Sequence, residues 1–372
     1  MRPRVLLFFE YGTLNGGEFS MLAMLEALDG DAFEFVAAAP VSGPLAGRLE
    51  RLGIEVLPLS LRDEQGRKRP IEQTNAHLAE LVTRVDPDLV HANSLSMGRM
   101  VGRIAPKVPV PCTAHLRDII KLSKATIADL SRNAAFVAVS EATKRFHVEQ
   151  GVTSEKVQVI HNGVDLERFS PRPVTGALQL ELGLSDRAVL IANIGQICLR
   201  KGQTLLAQAA VSLAQEFPEA RYLFVGQRHS QKDESVAYEE AIHQIFRKAG
   251  IEDRLLCLGF REDVPAILNE VDLLVHTAHQ EPLGRVLLEA ASCAQAIVAT
   301  RVGGTSEILT DEVSALLTPP DDLEALVAAI RRMLTDQTLR ARLGQQARRD
   351  ALERFALPAA AARIRAFWGA FL

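Results

Sequence analysis

The sequence predicts an α/β protein made of two doubly wound, parallel-sheet (Rossmann-like) domains in series, facing a cleft. Three observations predict it. The chain has 372 residues, beyond the ~250–300 at which a single hydrophobic core stops growing. Short, nearly continuous apolar runs alternate with amphipathic stretches, as parallel strands covered on both faces require. The alternation breaks at "VDLERFSPRPVTG", where Pro171 and Pro173 interrupt regular structure, and then resumes.

In the first half the strand candidates are "RVLLFFE", "FEFVAAAP", "IEVLPL", "DLVHAN", "VPCTAH", "FVAVS" and "VQVIHNG". Helical patterns such as "EFSMLAMLEALDG" separate them. In the second half the runs are "AVLIANIGQ", "ARYLFVGQ", "LLCLGF", "DLLVHTA", "AIVATRVGG" and "SALLTPP". The domain change is expected after residue 168, with the second domain spanning 169–351. Ligands in doubly wound sheets bind beyond the carboxyl ends of the strands. Residues suited to binding recur there: Gly16 and Gly17 after the first strand, His115 ending the fifth, Gly195 and Gly226 ending two strands of the second domain.

Composition narrows the class. Hydrophobic residues make up 48% and charged residues 24% of a chain with net charge -4, which describes a globular protein and argues against a nucleic-acid partner. Cys112, Cys198, Cys257 and Cys293 are scattered singly, a pattern of buried thiols in a reducing cytoplasm rather than a disulfide framework or metal site. The apolar run near the N-terminus stops at Glu10, short of the ~7–15 residues of a signal core. No run approaches the ~20 apolar residues of a membrane span. The expected location is cytoplasmic.

The stretch "HTAHQEPLGRVLLEAASCAQAIVATRVGGTSEIL" carries two carboxylates, Glu281 and Glu289, eight residues apart. A helix beginning near Leu283 would put Glu281 before its start and Glu289 inside it. Eight residues at ~1.5 Å each span ~12 Å, about the separation between the sugar and the ribose of a sugar nucleotide. The amides of the helix start, opened by Gly284, lie between the two and suit a diphosphate. One carboxylate can then accept hydrogen bonds from sugar hydroxyls and the other from the ribose, and a buried acceptor discriminates against ligands that leave it unpaired.

"HQEPLGRVLLEA" resembles the E-x7-E signature of the group-1, family 4-like retaining glycosyltransferases of GT-B architecture. "HNGVDLERFSP", "GQICLRKGQTLLAQA", "LGFREDVPAILNEVDLLVHTA" and "RVGGTSEIL" are similar to that family's interdomain segment, phosphate loop, nucleoside-binding region and a late strand-helix unit. The resemblance implies a nucleotide-sugar donor, UDP- or GDP-linked, and a sugar, glycolipid or other hydroxyl acceptor. It implies no cofactor and no metal. Glu281 would hold the donor sugar and Glu289 the ribose. The amides near Leu283 and Gly284, with Gly195 and Gly226 beside them, would face the diphosphate, and Lys201 would neutralise it. Backbone around Phe260 and Arg261 would read the base. His115 would sit near the reacting carbon, and Gly16 and Gly17 would border the acceptor. The last segment, about 352–372, would cross back to the first domain with Trp368 and Phe371 in its core. The family's loop commonly carries arginine where this chain has Gln196, a neutral amide for which Arg200 could substitute.

Two alternatives remain at this level: a catalytically impaired nucleotide-sugar-binding protein, which Gln196 makes conceivable, and a GT-B nucleotide-sugar epimerase. Asp86-Pro87-Asp88 matches a metal-binding D-x-D pattern but reads as the turn feeding "LVHAN". The basic run Arg99, Arg103, Lys107, Arg117, Lys121, Lys124 and Arg132 is either a solvated face or a rim for peripheral contact with the inner face of a membrane.

Overall fold

A computed structural model of the protein describes residues 2–28, 32–63 and 65–372. Among the described residues the chain divides into two compact units, Met1–Gly163 with Leu357–Leu372, and Val164–Ala356. The boundaries fall earlier than 168 and later than 352. In the first unit Gly163 lies against Leu357, so close that a Cβ would stand 2.6 Å from its Cα. In the second, the Val164 amide donates to Phe355 O at 2.9 Å.

The first unit holds strands β1 (Arg4–Phe8), β2 (Glu34–Ala39), β3 (Glu55–Pro58), β4 (Leu89–Ala92), β5 (Cys112–Leu116), β6 (Ala135–Ala138) and β7 (Val157–Val159). They form a seven-stranded sheet of order β3-β2-β1-β4-β5-β6-β7, parallel throughout. Alternation along β1 shows why its sequence is apolar without a break. Val5 and Leu7 face a core made with the helices Gly16–Ala27 and Leu357–Gly369. Leu6 and Phe8 face a second core made with Ile71–Val85 and Leu95–Ile104. Both faces are buried, so neither can be polar.

The second unit holds β8 (Val189–Ile194), β9 (Ala220–Val225), β10 (Leu255–Gly259), β11 (Leu273–His276), β12 (Ile297–Thr300) and β13 (Leu316–Thr318). Their order is β10-β9-β8-β11-β12-β13, again all parallel. Ile191, Tyr222, Phe224, Val275 and Val298 pack one face of this sheet against helices that include Gln203–Leu213 and Leu323–Thr335. In each sheet the strand order reverses once, between β1 and β4 and between β8 and β11, and loops on either side of such a reversal diverge to leave a crevice.

Helix Leu357–Gly369 completes the first unit. Trp368 is fully buried and meets the rings of Phe33, Phe35 and His91 edge-on, with centroids 5.9, 5.8 and 5.2 Å away. Edge-to-face pairs add to an already large apolar burial. Trp368→Ala is therefore expected to destabilise the protein by about 3–5 kcal/mol, read as a lower urea midpoint at an unchanged slope.

Candidate functional site

In the second unit the two strands that flank the reversal supply the site. The loop after β8 runs through Gly195, Gln196, Arg200 and Lys201. The loop after β11 runs from Thr277 to Gly284. They are laced by backbone contacts: His279 N donates to Arg200 O at 2.9 Å, and Thr277 Oγ1 to Lys201 O at 3.1 Å. Gly202 makes that approach possible, for at its φ of 62° a Cβ would stand 2.1 Å from Thr277 O. Gly226 plays the same part at the end of β9, where a Cβ would stand 2.0 Å from Gly195 O. Lys201 then passes Gly195 with its Cε 3.7 Å from where a Cβ would be.

At the centre lies Glu281, 6% exposed. Its Oε2 accepts from Lys201 Nζ and from His276 Nε2 at 2.9 Å, and Arg200 Nη1 stands 3.9 Å away. Its Oε1 accepts no hydrogen bond among the described residues. Burial alone would raise the carboxyl's pKa. The charge of Lys201, the hydrogen bond from His276 and the charge of Arg200 reverse this and hold it well below the usual carboxylate range. His276 is held below its ordinary value by burial and by Lys201, and it meets the carboxylate through Nε2. Gly304 N fixes the backbone by donating to Glu281 O at 2.9 Å.

The helix that follows begins at Arg285, with Gly284 as its N-cap at φ 104°, two residues later than the sequence suggests, because Gly284 adopts a left-handed turn. Leu283 turns its side chain into the core, 2% exposed. At the helix start the Leu287 and Leu288 amides donate to Gly284 O at 3.0 and 3.2 Å. Glu289 lies in this helix, 5% exposed, and Arg285 Nε reaches its Oε1 at 2.8 Å. Burial pushes its carboxyl up, against the opposing pull of Arg285 and Arg168.

Beyond β10, Phe260 is 48% exposed, while Arg261 is bound to Asp263 (Nε to Oδ1, 2.7 Å) and to Glu181 (Nη2 to Oε2, 3.1 Å). Its guanidinium is thus occupied, leaving backbone as what this turn offers. Gln196 uses its carbonyl to accept from Gln203 Nε2 at 2.8 Å. Arg200 turns the same way as Lys201, donating to Gln280 O at 3.0 Å beside Glu281.

In the first unit His115 is fully buried and reaches His91. The network defines the tautomers. Thr113 Oγ1 donates to Val90 O (3.2 Å), so it accepts from His91 Nδ1 (2.9 Å). His91 then presents a lone pair at Nε2 to His115 Nδ1–H (2.7 Å). His115 Nε2 remains a bare, buried acceptor with no partner among the described residues. Burial and the nearby charge of Arg117 push His91 down to about 3 and His115 well below its ordinary value.

Arg117 donates to Asn93 O (3.1 Å), Asn93 Oδ1 (2.9 Å) and Asn162 Oδ1 (3.2 Å), and Asn93 Nδ2 reaches Gly17 O at 3.3 Å. This ties the Gly16–Gly17 turn, where helix Gly16–Ala27 begins, to the ends of β4 and β5.

Some expectations change. The basic run is not a continuous rim: Arg103, Arg99 and Arg132 gather around Asp129 at 2.7, 3.5 and 3.9 Å, and Arg117 turns inward. Lys107, Lys121 and Lys124 remain exposed. Of the four thiols, Cys112 and Cys293 are buried, Cys198 is half-buried and Cys257 exposed. Asp88 accepts from the Arg4 amide at 2.7 Å and Asp86 caps a helix in the left-handed region, so this pair shapes a turn. No group of three or more His, Cys, Asp or Glu among the described residues could hold a metal ion. The sequence assigned nothing to His91 and His276. A histidine ending β4 beside one in β5, and a histidine five residues before Glu281, are the signals that would have found them.

Two family models match the chain: "Glycosyltransferase Family 4" over residues 14–168 and "Glycosyl transferases group 1" over residues 179–350. The chain belongs to the group-1 glycosyltransferases and has their two-domain GT-B fold. It is 25% identical to an Escherichia coli UDP-Gal:alpha-D-GlcNAc-diphosphoundecaprenol alpha-1,3-galactosyltransferase, over 88% of this chain and 86% of the relative. It is 30% identical to the D-inositol 3-phosphate glycosyltransferase of Salinispora arenicola, over 71% of this chain but 64% of that enzyme's length. Among solved structures, Anabaena Alr3699/HepE in complex with UDP-glucose superposes with a TM-score of 0.87 at 23% identity, covering 99% of each chain. Sucrose-phosphate synthase from Thermosynechococcus elongatus gives 0.81 at 18% identity, covering 99% of this chain and 98% of its own.

Two outcomes are expected. A carboxyl whose folded pKa is raised makes the fold less stable once pH rises above the unfolded value of about 4.3. Glu289→Gln should therefore raise Tm at neutral pH, with the gain shrinking toward pH ~4. Conversely, His91 and His115 should keep their neutral tautomers between about pH 5 and 8 in imidazole nitrogen NMR. Because their folded pKa values are depressed, their contribution is lost as pH falls below about 6.5, when protonation favours the unfolded chain.

Proposed function

We propose that this glycosyltransferase is a retaining, metal-independent hexosyltransferase. It moves a sugar from a UDP- or GDP-linked donor to a hydroxyl of a sugar, glycolipid or other acceptor, in glycan, polysaccharide or glycolipid biosynthesis. The observation that carries the reading is the convergence of Lys201 and His276 on one oxygen of the buried Glu281, beside the start of helix Arg285–Ser292. A cation, a preorganised acceptor and a helix start at one strand reversal are what an activated sugar needs.

In this scheme Glu281 accepts hydroxyls of the donor sugar through Oε1, and Glu289 accepts those of the ribose. The bond from the sugar carbon to the phosphate oxygen breaks, leaving positive charge on the sugar and negative charge on the diphosphate. Lys201, Arg200 and the amides near Gly284 stabilise the leaving group, with Gly195, Gln196 and Gly226 close beside it. The acceptor oxygen attacks from the face the diphosphate leaves, and that phosphate takes its proton. No protein nucleophile and no cofactor enter. The scheme gives His115 a role at the reacting carbon, Gly16 and Gly17 one at the acceptor, and backbone at Phe260 and Arg261 one in reading the base. The relatives, a UDP-Gal:alpha-D-GlcNAc-diphosphoundecaprenol galactosyltransferase and a UDP-glucose complex, support a nucleotide-sugar donor. No helix among the described residues is long and apolar enough to cross a membrane. In this reading the enzyme works in the cytoplasm and meets a lipid acceptor through peripheral contact at Lys121 and Lys124.

Purified protein incubated with a panel of UDP- and GDP-sugars, with water or glycosides as acceptor, should release the nucleotide diphosphate. EDTA should not slow it, and the product should retain the donor's anomeric configuration. Glu281→Ala and Lys201→Ala should each lower kcat by about 100- to 1,000-fold. Tight nucleotide binding without release would favour the impaired binding protein, and acceptor-independent isomerisation of the sugar would favour the epimerase.

A further inference from the structure

We propose that His276 is a positioning residue that keeps Glu281 in its sugar-gripping orientation after Lys201 has moved from Glu281 to the donor's diphosphate. The inference rests on the donor reading above for its function, but on the hydrogen bonds around Glu281 for its structure.

Lys201 and Glu281 neutralise one another through Oε2. Both have other work when the donor arrives: the ammonium must face the diphosphate, and the carboxylate must face hydroxyls. A flexible four-carbon stem lets Lys201 change partner. Glu281 cannot follow, because its backbone carbonyl is held by Gly304 N and its side chain is enclosed. A buried carboxylate that loses its only close cation would be left poorly compensated and free to rotate.

His276 removes that difficulty. It is 2% exposed at the end of β11, so its ring is fixed by the sheet. A carboxylate only accepts, so the nitrogen facing it carries the proton, and the contact at 2.9 Å is Nε2–H to Oε2. The same oxygen takes Lys201, which leaves Oε1 for the ligand. When Lys201 departs, the His276 hydrogen bond still holds Oε2, and Arg200 at 3.9 Å supplies the remaining positive charge. A neutral donor fits this task better than a second close cation, which would compete with the diphosphate for Lys201's place and bind the carboxylate too firmly to share.

Three measurements test it. Nitrogen NMR of the ligand-free protein should show His276 as the Nε2–H tautomer, and still so when UDP is added; an Nδ1–H ring would overturn the proposal whatever the donor proves to be. His276→Leu should lower kcat/KM for UDP-glucose, or for the donor identified by the panel, by about 10- to 100-fold, while calorimetric affinity for UDP alone, which has no sugar for Glu281 to hold, stays unchanged. His276→Gln, whose amide can donate to the same oxygen, should recover most of that loss. Equal losses in UDP and sugar-nucleotide binding, or a glutamine variant no better than leucine at unchanged Tm, would assign His276 to packing alone. Absence of turnover with every donor would sink the transfer reading but leave the NMR result to decide the tautomer, and hence the hold on Oε2.

Discussion

The second unit is organised around one buried carboxylate that must remain ionised. Removing a charge from water is expensive, and the cost is met only when opposite charge and hydrogen-bond donors surround it. At Glu281 the donors come from two loops distant in sequence, after β8 and after β11, adjacent because the sheet order reverses between them. The requirement reaches into the backbone: the loop after β11 is pressed by Gly202 on one side and by Gly304, after β12, on another, and neither position has room for a Cβ. The site is thus a property of the topology as much as of any side chain.

The two halves resolve similar problems differently. In the second unit a histidine supports a charged acceptor. In the first, Thr113, His91 and His115 form a neutral chain in which each proton is assigned by the group before it, ending in an unpartnered nitrogen. Low dielectric surroundings strengthen both arrangements and make each unpaired atom costly.

The strands among the described residues were legible as short apolar runs, and the central ones, as Val5 to Phe8 illustrates, have the continuity that a sheet covered on both faces demands. Glu281 and Glu289 were legible because carboxylates amid apolar neighbours need a reason. The support was not. His276 reads as an ordinary strand-end histidine until the loop folds back five residues later, and His91 meets His115 only through strand pairing. Asp129 hides in the sequence as one acid among many cations, yet it gathers three arginines of the basic run. The start of the second unit's signature helix shifted because a left-handed Gly284 is a backbone state that letters do not encode. Periodicity reports burial; it does not report which buried polar atoms meet.

The helix Leu357–Gly369 has a consequence for how the protein comes into being. It fills the core of the first unit, yet it follows the whole of the second in the chain. On the ribosome, the leading half must therefore wait with an open apolar face while the other half is made. The second unit, contiguous in the chain, can close first. Arrival of Trp368 then closes the core of the first unit.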